Sequence, residues 1–193
     1  MDKLIRNFIA KQNVIDSELC DKIVKQSQEF NWQKHTWYSH HDQVTHSHEE
    51  KELDVCHGGD VPDLIQEQLF MHINAVYKNY VQMLISELQF PDFNMIKYWS
   101  ACRLNRYGEG TCMRAHYDHI HSLFDGERRG IPVISVIGSL NDDFEGGELV
   151  FYDDFKVELD KGDILLFPSN FMYPHRVEEV TKGERYTFVS WGS

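Results

Sequence analysis

Basic residues are scarce: Lys and Arg number 19 against 31 Asp and Glu in 193 residues, a formal charge of −12. Binding a polyanion draws on clustered cations that release its counterions, so nucleic acid is a disfavoured partner. Cysteine is sparse too. Cys20, Cys56, Cys102 and Cys112 form no C-x-x-C pair and no zinc-knuckle spacing, and buried reduced thiols are expected rather than bridges or a zinc site. Long apolar runs are missing. The longest stretches, such as residues 164–167, fall far short of the roughly 20 residues that cross a bilayer, and the opening MDKLIRNFIAKQN holds no uninterrupted apolar segment of the secretory kind. These absences lead to the expectation of a cytoplasmic protein without a membrane partner. No internal repeat, low-complexity tract or linker marks off a second unit, so one domain over 1–193 is expected.

What is present is core-forming material: 41% hydrophobic and 13% aromatic residues suit a compact fold and not a disordered chain. Residues 1–93 read as a helical part with a loop. Asp16-Ser17-Glu18 is a helix-start signal ahead of Leu19, Ile23, Val24 and Phe30. After Asp60-Val61-Pro62-Asp63, apolar residues at 65, 69, 73, 76, 80, 84 and 88 recur at steps of three and four, which predicts a long amphipathic helix that stops before Pro91. Between the two helices, residues 37–59 are polar and histidine-rich and read as a loop.

From residue 94 onward the helical period gives way to short apolar runs broken by Gly, Asn and Asp, which implies about eight strands in a sandwich or barrel. In RYTFVSW, Arg185, Thr187, Val189 and Trp191 share one strand face and Tyr186, Phe188 and Ser190 the other. Both faces are partly apolar, so the helices are expected to cover the outer one while the interior of a two-sheet β-fold holds the site.

Chemistry enters with His116-Tyr117-Asp118. An iron that binds an organic co-substrate and dioxygen needs two imidazoles and one carboxylate on one face of an octahedron, with three positions left open. Residues i and i+2 of a strand project to the same side, so this His and Asp can converge on one metal. Alone the pattern is weak: with this composition about one chance match is expected, and the chain holds a second, His40-His41-Asp42, in the polar segment. Only the first has a strand context.

That context is RYGEGTCMRAHYD, SLNDDFEGGELVFYDD and FPSNFMYPHRVEEVTKGERYTFVSW, which together resemble the iron- and 2-oxoglutarate-dependent dioxygenases, in their prolyl 4-hydroxylase-like branch. The likeness covers about the last hundred residues and, loosely, NFIAKQNVIDSELCDKIV. It implies an α+β fold with a double-stranded β-helix (jelly-roll) core over 94–193 and N-terminal helices packed on one sheet. It implies His116, Asp118 and His175 as catalytic metal ligands, Arg185 as the residue gripping the co-substrate's far carboxylate, Tyr107 as a pocket tyrosine and Trp191 as a substrate-side aromatic. Fe(II), with 2-oxoglutarate and O2 as co-substrates, follows from the resemblance, and ascorbate is a further candidate cofactor. The physics of Arg185 agrees, because a planar guanidinium on the strand face of Thr187 and Trp191 can take a carboxylate through two hydrogen bonds.

Alternatives stand beside several of these residues. His119 and His121 form an H-x-H on the opposite face that a cupin arrangement would use. Tyr107 can line a pocket or pack in a core, and Trp191 likewise. His40, His41, His46 and His48 read as a solvated segment or a lid. The Gly146-Gly147-Glu148 turn has a structural role, with Glu148 outside the chemistry. Gly138-Ser139-Leu140-Asn141 lacks the Tyr that related hydroxylases often carry before Leu-Asn, and an Arg common to them is replaced near Pro132, so the departures fall on the peptide-binding side. The activity implied is hydroxylation of an unactivated C–H bond, favouring a prolyl residue in a peptide or protein, with succinate and CO2 released. The alternatives are nucleic-acid demethylation by the same chemistry, which the acidity and the Trp at position 191 oppose, and a non-catalytic β-barrel binding module.

Overall fold

The computed structural model describes residues 3–39, 44–46, 51–91, 96–118 and 132–193. Local chemistry places the helices. The helix Ser17–Ser27 starts where the Asp16 carboxylate accepts the backbone N–H of Leu19 at 2.8 Å. The helix Asp63–Leu88 starts after Pro62, which has no N–H to leave unpaired, and stops where Gln89 turns left-handed at φ 56°. Its buried face carries Ile65, Leu69, Ile73, Val76, Tyr80 and Leu84, in the spacing the sequence indicates. No described helix is long and apolar enough to cross a membrane.

The strands form two main antiparallel sheets, an arrangement consistent with a jelly-roll core. The larger runs in the order Ala10–Asn13, Asp163–Pro168, Ile134–Ser139, Arg185–Gly192, Arg103–Tyr107, Asp54–Cys56 and Gln33–Lys34. The smaller runs Phe155–Val157, Leu149–Phe151, His175–Val177 and Met113–His116. Period-two alternation sorts the large sheet's side chains into two cores. Ile164, Leu166, Tyr186 and Phe188 join Ile23, Leu69 and Ile73 of the helices in one, while Leu165, Phe167, Val189 and Trp191 meet Leu149, Phe151 and Val177 of the small sheet in the other. The strand Arg185–Gly192 is buried along its whole length, so its two apolar faces serve two different cores.

Two expectations need correction. The described residues of 37–59 are not all loop: Trp37–Ser39 pairs with Val44–His46, and Asp54–Cys56 is an internal strand of the large sheet, paired with both Gln33–Lys34 and Arg103–Tyr107. With Ala10–Asn13 also at the sheet edge, residues 1–93 are not a helical part separate from a β core over 94–193. The physical reason is that these strands have only two to four residues, too few to show a period, and Ala10–Asn13 and Asp54–Cys56 bond to partners distant in sequence. His40, His41 and His48 lie outside the described residues.

Gly138 sits opposite Phe188 in register, and a Cβ at this position would fall within the Phe188 ring. Gly138→Ala is expected to lower stability by about 1–3 kcal/mol, the usual cost of overpacking a tight core. Urea unfolding of the variant checks it, and an unchanged midpoint would show that the ring can move aside.

Candidate metal centre and its cavity

His116 closes one strand of the small sheet, His175 opens the next, and the two are direct cross-strand partners. Their rings stand 4.4 Å apart between centroids. Asp118 lies two residues past His116, just beyond the strand end, so the expected placement of both residues within a strand holds for His116 alone. The carboxylate still reaches both rings, with Oδ1 3.4 Å from His116 Nε2 and Oδ2 3.9 Å from His175 Nε2. The three donors lie within 4.8 Å of one another, the one such group of metal-ligating side chains among the described residues.

Both imidazoles are fixed by the chain itself. Nδ1 of His116 is 2.7 Å from the carbonyl of Arg114, and Nδ1 of His175 is 3.1 Å from that of Tyr173. A carbonyl only accepts, so each Nδ1 carries a proton and each Nε2 is the atom left to a metal; at His116 burial is outweighed by the Asp118 carboxylate, which raises the imidazole, and a metal would take the place of the proton so favoured at Nε2. Burial, reinforced by His116, pushes the His175 imidazole down to about 4, so the ring is neutral and ready to coordinate. Burial acts to raise the Asp118 carboxyl, but His175, His116 and the Ser135 hydroxyl override it and hold the group well below the usual carboxylate range. Two imidazoles and one ionised carboxylate on one side of a cavity are the donor set of an Fe(II) facial triad.

Ser135 and Ser169 escaped the sequence reading. Ser135 donates to Asp118 Oδ2 at 2.6 Å, and its oxygen lies 2.8 Å from that of Ser169. Both are buried, and the strand parity of PVISVIGSL was the available signal, since it turns Ser135 to the same side as Ile137. Ser135→Ala is expected to weaken metal affinity about 10- to 100-fold, the range seen when a group orienting a ligand is removed. Metal titration of the variant checks it.

The cavity beside the triad is lined by Arg103, Asn105, Tyr107, Ile137, Val189 and Trp191 among others. Tyr107 and Arg185 face each other in register, with the guanidinium carbon 5.0 Å from the Tyr107 ring centre and 5.9 Å from that of Phe144. Arg185 is 3% exposed, and no described carboxylate is within ion-pair distance. Burial lowers its pKa, and the Tyr107 hydroxyl is its opposing partner. Gly147, at φ 66°, makes room for the arginine stem, since a Cβ there would stand 3.0 Å from Arg185 Cδ. Glu148 is apart from this cluster and pairs with Lys156 at 3.3 Å. Trp191 lines the cavity and stacks on Arg103, 5.3 Å from the guanidinium carbon. Arg103 was also missed, although the alternation in RLNRY sets residues 103, 105 and 107 on one face. His119 and His121 lie outside the described residues.

Residues 102–193 match the 2OG-Fe(II) oxygenase superfamily. A PKHD-type hydroxylase from Idiomarina loihiensis is 41% identical over 91 residues, which are 46% of this chain and 39% of that protein. Another, from Caulobacter vibrioides, is 36% identical over 126 residues, 62% of this chain and 53% of that protein. The chain thus spans about half or less of the length of these relatives. A prolyl hydroxylase from Trichoplax adhaerens, solved with a peptide fragment of the hypoxia inducible factor oxygen degradation domain, shares the fold at a TM-score of 0.68 and 19% identity, covering 98% of this chain and 85% of that one. A Pseudomonas putida prolyl-4-hydroxylase does so at 0.59 and 17%, covering 96% and 91%.

Proposed function

We propose, from the membership of residues 102–193 in the 2OG-Fe(II) oxygenase superfamily, that the protein hydroxylates an unactivated C–H bond of a prolyl residue in a peptide or protein. The observation that carries it is the convergence of His116, Asp118 and His175 with both Nδ1 atoms committed to backbone carbonyls. When bound, Fe(II) with 2-oxoglutarate and O2 supplies the oxidising power, and succinate and CO2 are the by-products. The chain's own work is to hold and to exclude.

His116 and His175 offer Nε2 and Asp118 an oxygen to the metal, and Ser135 keeps that carboxylate turned inward. Arg185, a buried cation lacking a carboxylate among the described residues, takes the far carboxylate of 2-oxoglutarate, with the Tyr107 hydroxyl beside it. Ile137, Val189 and Trp191 form an apolar part of the cavity wall, which limits water around the reacting carbon. The helices brace the outer face of the large sheet, and with it the strand that bears Arg185. Within the segment from 37 to 59, the strand Trp37–Ser39 covers the substrate. Its Trp37 ring lies 4.8 Å from the guanidinium of Arg114, on the strand that ends in His116. A peptide substrate is favoured by the likeness to a fold neighbour solved with a bound peptide and by the charge of −12, which repels nucleic acid.

The test is succinate formation from 2-oxoglutarate with added Fe(II), coupled to a mass gain of one oxygen atom on proline-containing peptides. Both signals should vanish without 2-oxoglutarate. Succinate with no oxygenated peptide would retain the dioxygenase and reject the substrate, and absence of succinate would reject the enzyme.

A further inference from the structure

We infer, on the basis of the peptide hydroxylase reading above, that Arg103 is a specificity residue that takes a carboxylate carried by the substrate beside the carbon to be hydroxylated. Arg103 lines the same cavity as the triad. It does so from the other end of the strand that carries Tyr107. In the antiparallel register Arg185 faces Tyr107, whereas Val189 faces Arg103. Four residues at roughly 3.3 Å each separate the two positions by about 13 Å along the strand. The arginines therefore do not share one carboxylate, and the one Arg103 takes belongs to the substrate side, where Trp191 stands.

Its side chain is held in one orientation. Nε donates to Asn105 Oδ1 at 3.0 Å, Asn105 is itself 2% exposed, and the guanidinium stacks on Trp191. That leaves the two terminal amino groups with no hydrogen-bond or ion-pair partner among the described residues. Other arginines are satisfied: Arg106 meets Asp54 at 2.9 Å and Arg176 meets Glu178 at 2.9 Å. Asp118 is the carboxylate whose field Arg103 feels most, but its oxygens are engaged by His116 and Ser135. A half-buried cation with a fixed plane, and with terminal amino groups that no described residue occupies, fits a planar carboxylate through two parallel hydrogen bonds. A phosphate fits less well, because its double charge would face one arginine in a cavity that the Asp118 carboxylate also lines.

A carboxylate in that place has two sources, the side chain of an Asp or Glu next to the target residue or the terminal carboxylate of a chain ending at it. Two pairs of proline peptides separate them: Glu against Gln beside an internal proline, and free acid against amide at a C-terminal proline. Equilibrium binding is measured by calorimetry on the full chain loaded with Zn(II) and 2-oxoglutarate without oxygen, and kcat/KM is measured with Fe(II) in air. The expected result is a preference of about tenfold or more for the charged member of one pair, and the pair that shows it names the source. In Arg103→Gln the ratio should fall to about one in both measurements, and Arg103→Lys should keep part of it. Equal binding of charged and neutral members in both pairs by the wild-type protein overturns the inference without reference to any variant. A preference that persists in Arg103→Gln overturns it as well. Succinate and hydroxylated peptide formed with no charge preference would remove Arg103's role alone, while no succinate from any mixture would bring down the hydroxylase reading on which it rests.

Discussion

His175→Ala is expected to abolish succinate formation and to leave the protein unable to hold Fe(II) stoichiometrically. The imidazole is 4% exposed, neutral, and locked by the Tyr173 carbonyl so that Nε2 faces Asp118. Ala supplies no donor there, and a two-ligand site of His116 and Asp118 lacks the third point that fixes a facial triad. Removing a group that merely orients a ligand costs 10–100-fold in affinity or activity, so loss of a ligand should exceed that. The fold should survive, because the ring's neighbours Phe151 and Phe167 stay packed on one another at 4.9 Å between centroids. Metal content after dialysis, succinate formation and a thermal melt measured together check this. Wild-type iron content and turnover in the variant would remove His175 from the site.

How much of this was legible in the sequence depended on the range over which each signal acts. The helix start at Asp16 and the long face from Ile65 to Leu84 are local patterns, and the structure reproduces them. Strand parity was enough to place Arg185 and Trp191 on the inner side of one strand, because an eight-residue strand shows its alternation plainly. The strand Asp54–Cys56 was not legible, since three residues carry no period and its partner Arg103–Tyr107 lies far along the chain. Ser135 and Arg103 were missed for a different reason. A serine that holds a carboxylate, or an arginine braced by Asn105 and Trp191, has no motif of its own, and its role exists only once two or three strands are side by side. The pairing of His116 with His175 belongs to the same class, reached in the sequence only through its resemblance to a family.

Arg185→Ala is expected to weaken 2-oxoglutarate binding by about 30-fold or more while iron binding is retained. Truncating one partner of a buried, hydrogen-bonded charge pair costs roughly 2–5 kcal/mol, and each 1.4 kcal/mol is about tenfold. The sign of the stability change distinguishes a co-substrate anchor from a structural cation. Without co-substrate, Arg185 is a buried charge whose described partner is the neutral Tyr107 hydroxyl, so burial is uncompensated. Replacing such a charge by an apolar side chain of similar length is often neutral or stabilising. Arg185→Met should therefore melt at or above the wild-type temperature in the absence of 2-oxoglutarate. Adding 2-oxoglutarate should raise the wild-type Tm, since a ligand that binds only the folded state stabilises it in proportion to the logarithm of its concentration over Kd. The same addition should leave Arg185→Met unmoved. Arg185→Lys should fall between, because an ammonium keeps the charge and lacks the two-pronged edge. Equal Tm shifts in all three proteins would place the co-substrate's far carboxylate elsewhere in the cavity, whereas a large Tm loss in ligand-free Arg185→Met would make the guanidinium a structural element of the sheet.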